Sequence, residues 1–191
     1  TEFAAWNGNQ FAITTNSGTA ALHMCVASCG CGAGDEVIVP AYSWSSSVTC
    51  VLQHNAIPVF VDINFETMNV DVSKIEAAIT DKTKAILVVH LHGLAVDMDA
   101  VMDIARRHGL KVIEDACQAW GAEWRGRPVG AIGDLGCFSF QASKNINAGE
   151  GGALVTNNPE LAERCWSLQN VGRVRDGSWY QHEVLGWNYR M

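Results

Sequence analysis

TKAILVVHLHGLAVDMDAVMDIARRHGLKVIED, residues 83–115, is the stretch that decides the fold. It opens on an apolar run, Ala85-Ile86-Leu87-Val88-Val89, and closes on a second, Val112-Ile113. Between them Asp99 to Gly109 ends in Arg106-Arg107-His108-Gly109, with cations in what would be the last helical turn. Cations there meet the negative end of the helix dipole, and glycine accepts the left-handed backbone with which helices close. Uninterrupted apolar strands suit a sheet covered on both faces, and such sheets are mostly parallel. The stretch predicts strand, helix and strand: Thr83 to Val89, Asp99 to Gly109, and Leu110 to Glu114.

The same alternation extends outward. Phe11 to Thr15 reads as a short strand and Thr19 to Cys29 as a helix closed by Gly30. Glu36 to Val39 is a buried strand stopped by Pro40; Ser45 to His54 has helical composition, Pro58 to Val61 is another strand, and Val72 to Ile79 is expected to be helical. Phe3-Ala4-Ala5-Trp6 reads as the tail of a helix. Strands that keep trading places with helices predict an α/β fold, a three-layer α/β/α domain around a mostly parallel central sheet.

Composition narrows the function. The 191 residues are 48% hydrophobic and 17% charged, as in ordinary globular proteins. A net charge of −7 argues against a general attraction to nucleic acid or acidic lipid. No apolar run approaches the roughly 20 residues needed to span a bilayer, so no membrane partner is expected. The seven cysteines show no paired CxxC spacing, and no histidine falls at ligand spacing beside Cys25, Cys29 and Cys31. Buried reduced thiols, no metal and a cytoplasmic location follow as expectations. Asp97-Met98-Asp99 directly precedes a helix and reads as its cap.

In open parallel sheets, ligands lie beyond the carboxyl ends of the strands. After the first strand comes Asn16-Ser17-Gly18-Thr19, a turn that opens a helix and offers free N–H groups to a phosphate, although Ser17 or Thr19 could simply cap it. Behind Val39 stands Trp44 among Ser43, Ser45, Ser46 and Ser47, a flat aromatic face with little apolar surface to pack on. Asp115 ends an apolar strand, where a carboxylate needs a cation or strong donors, and a protonated pyridine nitrogen is such a partner. Further on, Phe138-Ser139-Phe140-Gln141-Ala142-Ser143-Lys144 leads into Gly149-Glu150-Gly151-Gly152. A carboxylate, a hydroxyl, an amine and a phosphate turn on strand-end loops can hold a pyridine nitrogen, a phosphate and an aldehyde carbon. They read as a pyridoxal phosphate site.

These motifs carry a resemblance. Asn16 to Leu22, Gly34 to Pro40, Val89-His90-Leu91-His92-Gly93, Glu114 to Ala119, Phe138 through Gly152, and Trp187-Asn188-Tyr189-Arg190-Met191 resemble, in order and spacing, the DegT/StrS family of sugar aminotransferases. That family belongs to the fold type I, aspartate-aminotransferase-like pyridoxal phosphate enzymes. The resemblance implies that residues 1–191 form the large cofactor-binding domain, incomplete at the N-terminus and lacking the C-terminal small domain.

It also implies roles. Lys144 would be the imine-forming lysine, Asp115 would pair with the pyridine nitrogen, Trp44 would stack on the ring, and Gln118 would lie beside it. Gly18, Thr19 and Ser139 would hold the phosphate, and Asn188 would reach the phosphate of a partner subunit in a homodimer. The implied reaction moves an amino group from glutamate or glutamine to the keto group of a nucleotide-linked sugar or a cyclitol. The Gln at position 141 resembles the members acting on cyclitol ketones. Two other readings are a sugar dehydratase relative, disfavoured because those relatives replace the lysine with His, and a cofactor-binding or regulatory module without turnover.

Overall fold

In the computed structural model, which describes residues 1–191, the elements run α1 (Glu2–Trp6), β1 (Phe11–Thr15), α2 (Gly18–Ser28), β2 (Glu36–Pro40), α3 (Ser46–Leu52), β3 (Ile57–Val61), β4 (Thr83–Val89), α4 (Met98–His108), β5 (Lys111–Asp115), β6 (Glu123–Trp124), β7 (Arg127–Pro128), β8 (Leu135–Ser139), β9 (Gly152–Thr156) and α5 (Pro159–Gln169). Seven strands form one sheet in the order β1-β9-β8-β5-β4-β2-β3, while β6 and β7 make a separate antiparallel pair. From β3 across to β8 every pairing is parallel. Only β9 is reversed, running antiparallel to both β8 and β1, so the expected mostly parallel sheet is present.

The side-chain period of a strand builds the layers. Along β4, Ala85, Leu87 and Val89 enter one apolar cluster with α2, α3 and α5, whereas Ile86 and Val88 enter a second with α4. Both faces of the sheet are covered, which is why β4 and β5 have no polar alternation. Helix α2 is buried along nearly its whole length, and its sequence accordingly has no polar face. By contrast α4 buries only Met98, Val101, Ile104 and Ala105. Asp97 caps α4 by accepting a hydrogen bond from Ala100 N at 3.1 Å, and Gly109 closes it at φ +66°. No helix is long and apolar enough to cross a membrane.

One expected element takes another form. Residues 72–79 make two short 3₁₀ turns, Val72–Lys74 and Glu76–Ala78, instead of an α-helix. The apolar row Val72, Ile75, Ala78 has a spacing of three, which a 3₁₀ turn satisfies as well as an α-helix. Asp71 Oδ1 accepts from Ser73 N and Ser73 Oγ at 3.2 and 2.6 Å, which holds the tighter turn. The helix expected from Ser45 to His54 is shorter, α3 spanning Ser46–Leu52.

Candidate active site

The loops that leave the carboxyl ends of β1, β2, β5 and β8 converge on a cavity of about 320 Å³. Its walls include Gly18, Thr19, Trp44, Asp115, Gln118, Ser139 and Lys144. Seven of the eight residues singled out from the sequence therefore share one cavity. Asn188, the eighth, is exposed and pairs with Asn170 in an isolated antiparallel bridge outside the cavity wall.

At one end of the cavity lies the N-terminus of α2. Ser17 is its cap, accepting from Ala20 N at 3.1 Å, while the N–H groups of Gly18 and Thr19 have no partner within the fold. Those free donors and the positive end of the helix dipole make an anion site. Gly18 is needed there for space, since a Cβ on it would stand 2.8 Å from Ser139 Cβ and 3.1 Å from Cys117 Sγ. The hydroxyls of Thr19 and Ser46 are 2.7 Å apart, and Ser139 Oγ accepts from Gln141 N at 3.3 Å. Three hydroxyls thus stand beside the free N–H groups.

At the other end, Asp115 is only 5% exposed and has no cationic partner. Its Oδ2 accepts from Ser47 Oγ at 3.0 Å and its Oδ1 from Cys117 N at 3.2 Å. It neither caps a helix nor pairs with an arginine. Beneath it Cys117 Sγ and Cys137 Sγ approach to 3.4 Å, because Asp115 and Cys137 are register partners of β5 and β8. A hydrogen bond to Cys137 pulls the Cys117 thiol down, but burial and the Asp115 charge outweigh it and leave Cys117 at about 11. Burial pushes Cys137 well above the ordinary thiol range. All seven cysteines are free.

The neighbouring carboxylate faces the other way. Glu114, fully buried, accepts from Gly130 N, Ile132 N and Gly133 N at 2.8, 2.7 and 2.6 Å. Its fourth partner is His90 Nε2 at 2.9 Å. His90 Nδ1 accepts from Val96 N at 3.1 Å, which assigns the proton to Nε2. This knot fixes β5 against the loop that enters β8.

Trp44 is 71% exposed although it lines a cavity, so its indole is uncovered by the chain. Gln118 Oε1 accepts from His92 N at 3.0 Å, leaving its NH₂ as the free end. Lys144 is half-buried and its Nζ makes no hydrogen bond or ion pair. The turn carrying it is braced by Gln141, whose Oε1 accepts from Ser143 N and Ser143 Oγ at 2.9 and 2.5 Å. A free amine, an uncovered aromatic face, a buried carboxylate lacking a cation and an anion cradle suit a flat, cationic, phosphorylated ring. The residues present fit pyridoxal phosphate.

The family model for the DegT/DnrJ/EryC1/StrS aminotransferase family matches residues 1–191. The chain belongs to that family. It is 51% identical over 172 residues to the L-glutamine:2-deoxy-scyllo-inosose aminotransferase of Streptoalloteichus tenebrarius, covering 90% of this chain and 41% of that protein. It is 43% identical over 190 residues to GDP-perosamine synthase of Escherichia coli O157:H7, covering 100% of this chain and 52% of that one. Among solved structures, NtdA from Bacillus subtilis with bound cofactor PMP superposes with a TM-score of 0.93 at 38% identity, over 99% of this chain and 43% of that one. The chain thus spans about half the length, or less, of these relatives. As a DegT/StrS member it has the α/β fold of the type I pyridoxal phosphate aminotransferases.

Two residues behind the cavity wall and one in it carry no role in the sequence motifs. Ser47 is the serine of its cluster that reaches Asp115, and its helical phase gives it away: it shares the buried face of α3 with Cys50 and Val51. Cys137 carried no signal, because its approach to Asp115 depends on the β5–β8 register. Glu150 lines the cavity from the Gly-rich turn.

Proposed function

We propose that this chain is the cofactor-binding part of a pyridoxal-phosphate-dependent aminotransferase that moves an amino group from glutamine or glutamate to the keto group of a cyclitol or nucleotide-linked sugar. The observation that carries this reading is the convergence of Lys144, Asp115 and the free N–H groups of Gly18 and Thr19 on one cavity. When bound, pyridoxal phosphate supplies an electrophilic carbon and an electron-withdrawing ring. Asp115, held by Ser47 and Cys117 N, would keep the ring nitrogen protonated. Gly18, Thr19 and Ser139 would hold the phosphate, and Trp44 and Gln118 would hold the ring.

Lys144 would hold the cofactor through its amine and would move a proton off the donor's α-carbon. With the acceptor bound, the same amine would return a proton to the carbon that bore the ketone. A glutamine-dependent cyclitol relative at 51% identity and a GDP-perosamine synthase at 43% support both acceptor classes. We further propose that the enzyme works as a homodimer in the cytoplasm. Asn188, exposed and outside the wall of its own cavity, is then the residue offered to the partner's phosphate, and the free thiols fit a reducing compartment.

The test is spectroscopic. Pyridoxal phosphate added to the purified chain is expected to give the visible band of a lysine-bound cofactor, absent from Lys144→Ala and bleached by glutamine or glutamate. A parent chain that shows no such band overturns the reading.

A further inference from the structure

The floor of the cavity holds more than the proposed cofactor uses. Asp115 Oδ1, Cys117 Sγ and Cys137 Sγ all lie within 4.8 Å of one another, in a buried cluster. The two sulfurs are 3.4 Å apart, and Cys137 Sγ is 3.9 Å from Asp115 Oδ1. A tetrahedral ion with metal–sulfur bonds of about 2.3 Å and a metal–oxygen bond of about 2.0 Å sets its ligands about 3.8 Å (S to S) and about 3.5 Å (S to O) apart. Both observed distances are within about half an ångström of those spacings, a change that small side-chain rotations supply. Cys117 lines the cavity, so a fourth position opens toward solvent, and Asp115 is a buried carboxylate with no cation beside it.

We propose that Asp115, Cys117 and Cys137 form a binding site for a thiophilic divalent cation, of the zinc and cadmium class, whose occupation excludes the cofactor. Two thiolates with one carboxylate select soft ions over calcium or magnesium. Binding forms two metal–sulfur bonds and one metal–oxygen bond, releases the two thiol protons to solvent and transfers no electrons. The exclusion rests on the reading above, in which the ring nitrogen takes the same carboxylate. A cation on Asp115 removes the charge that the ring nitrogen needs and adds repulsion in its place. The site makes the loading of the enzyme responsive to free soft metal.

Titration of the metal-free chain with cadmium tests this, followed by the ultraviolet absorbance of the thiolate–cadmium bond. It is run in a Cys29→Ser, Cys31→Ser background, which removes two thiols that stand two residues apart in the sequence and do not line the cavity. One equivalent is expected to bind, with affinity at least about tenfold lower in Cys117→Ala, Cys137→Ala and Asp115→Asn. Asp115→Asn keeps the shape of the site, so it decides the matter if a cysteine variant fails to fold. No cadmium absorbance, or absorbance unchanged in all variants, overturns the site. In a second arm, cadmium added first is expected to suppress the visible band of pyridoxal phosphate, and undiminished cofactor uptake overturns the exclusion. A parent chain that takes up no cofactor without cadmium refutes the aminotransferase reading instead, and the cadmium absorbance still decides the metal site.

Discussion

Glu114 and Asp115 are consecutive residues of one strand, both buried, and they have opposite fates. Glu114 has four donors, three of them backbone N–H groups from one loop, and its partner His90 is itself satisfied by Val96 N. Asp115 has two close donors, Ser47 Oγ and Cys117 N, a weak third in the Cys137 thiol at 3.9 Å, and a cavity in front of it. The strand pleat sends one carboxylate into the scaffold and the other into the site. A buried charge whose bonding capacity is filled from within holds structure together. One left partly unfilled keeps capacity for something that arrives from outside.

Removing each carboxylate breaks the symmetry of that pair. Glu114→Ala leaves His90 Nε2–H and three N–H groups buried without an acceptor, and should lower unfolding free energy by about 3–5 kcal/mol, measured in urea. Asp115→Asn should change it by less than about 1 kcal/mol, because the amide oxygen still accepts from Cys117 N, the amide NH₂ donates to the Ser47 hydroxyl, and a buried charge disappears, while cofactor binding is lost. Equal losses from both variants would erase the distinction.

A smaller effect is expected on the site side from Gly18→Ala. The added methyl meets Ser139 Cβ at 2.8 Å, which should destabilise by about 1–3 kcal/mol and weaken phosphate binding, read by calorimetry with inorganic phosphate. The smallest concerns the strip that carries Asn188. His23, buried against Trp187 and bonded through Nδ1 to Tyr189 Oη, is lowered from 6.5 to about 4, first by burial and then by the charge of His54. The unfolded chain binds this proton more readily than the folded one, so stability present above pH 6.5 falls as pH drops toward 4. The loss from pH 7 to pH 5 should be about 1 kcal/mol after solvent screening, and His23→Phe should flatten it.

Legibility followed the range of the interactions. Strands β4 and β5 were readable because burial on both faces leaves unbroken apolar runs, and α4 because its cap, its cations and its glycine are local signals. Lys144, Asp115 and Gly18 could be nominated from loops, since the ends of parallel strands gather in one place. Residues 72–79 misled because a spacing of three does not separate two helix types over eight positions. Cys137 lay beyond reach for a different reason: what it touches is set by strand register, which no short stretch of sequence contains, whereas Ser47 was within reach through the helical phase it shares with Cys50 and Val51.

The reversed strand has a consequence for how the molecule comes into being. β1 pairs only with β9, so Phe11 finds its partner in Thr156 at the far side of the chain. During synthesis the first strand emerges with its edge open and must wait until β9 has been made. Pairings this distant in sequence close late and slowly, and an unpaired strand invites another chain in the meantime. The edge of the sheet beside the phosphate turn is therefore the last part of the domain to become safe from aggregation.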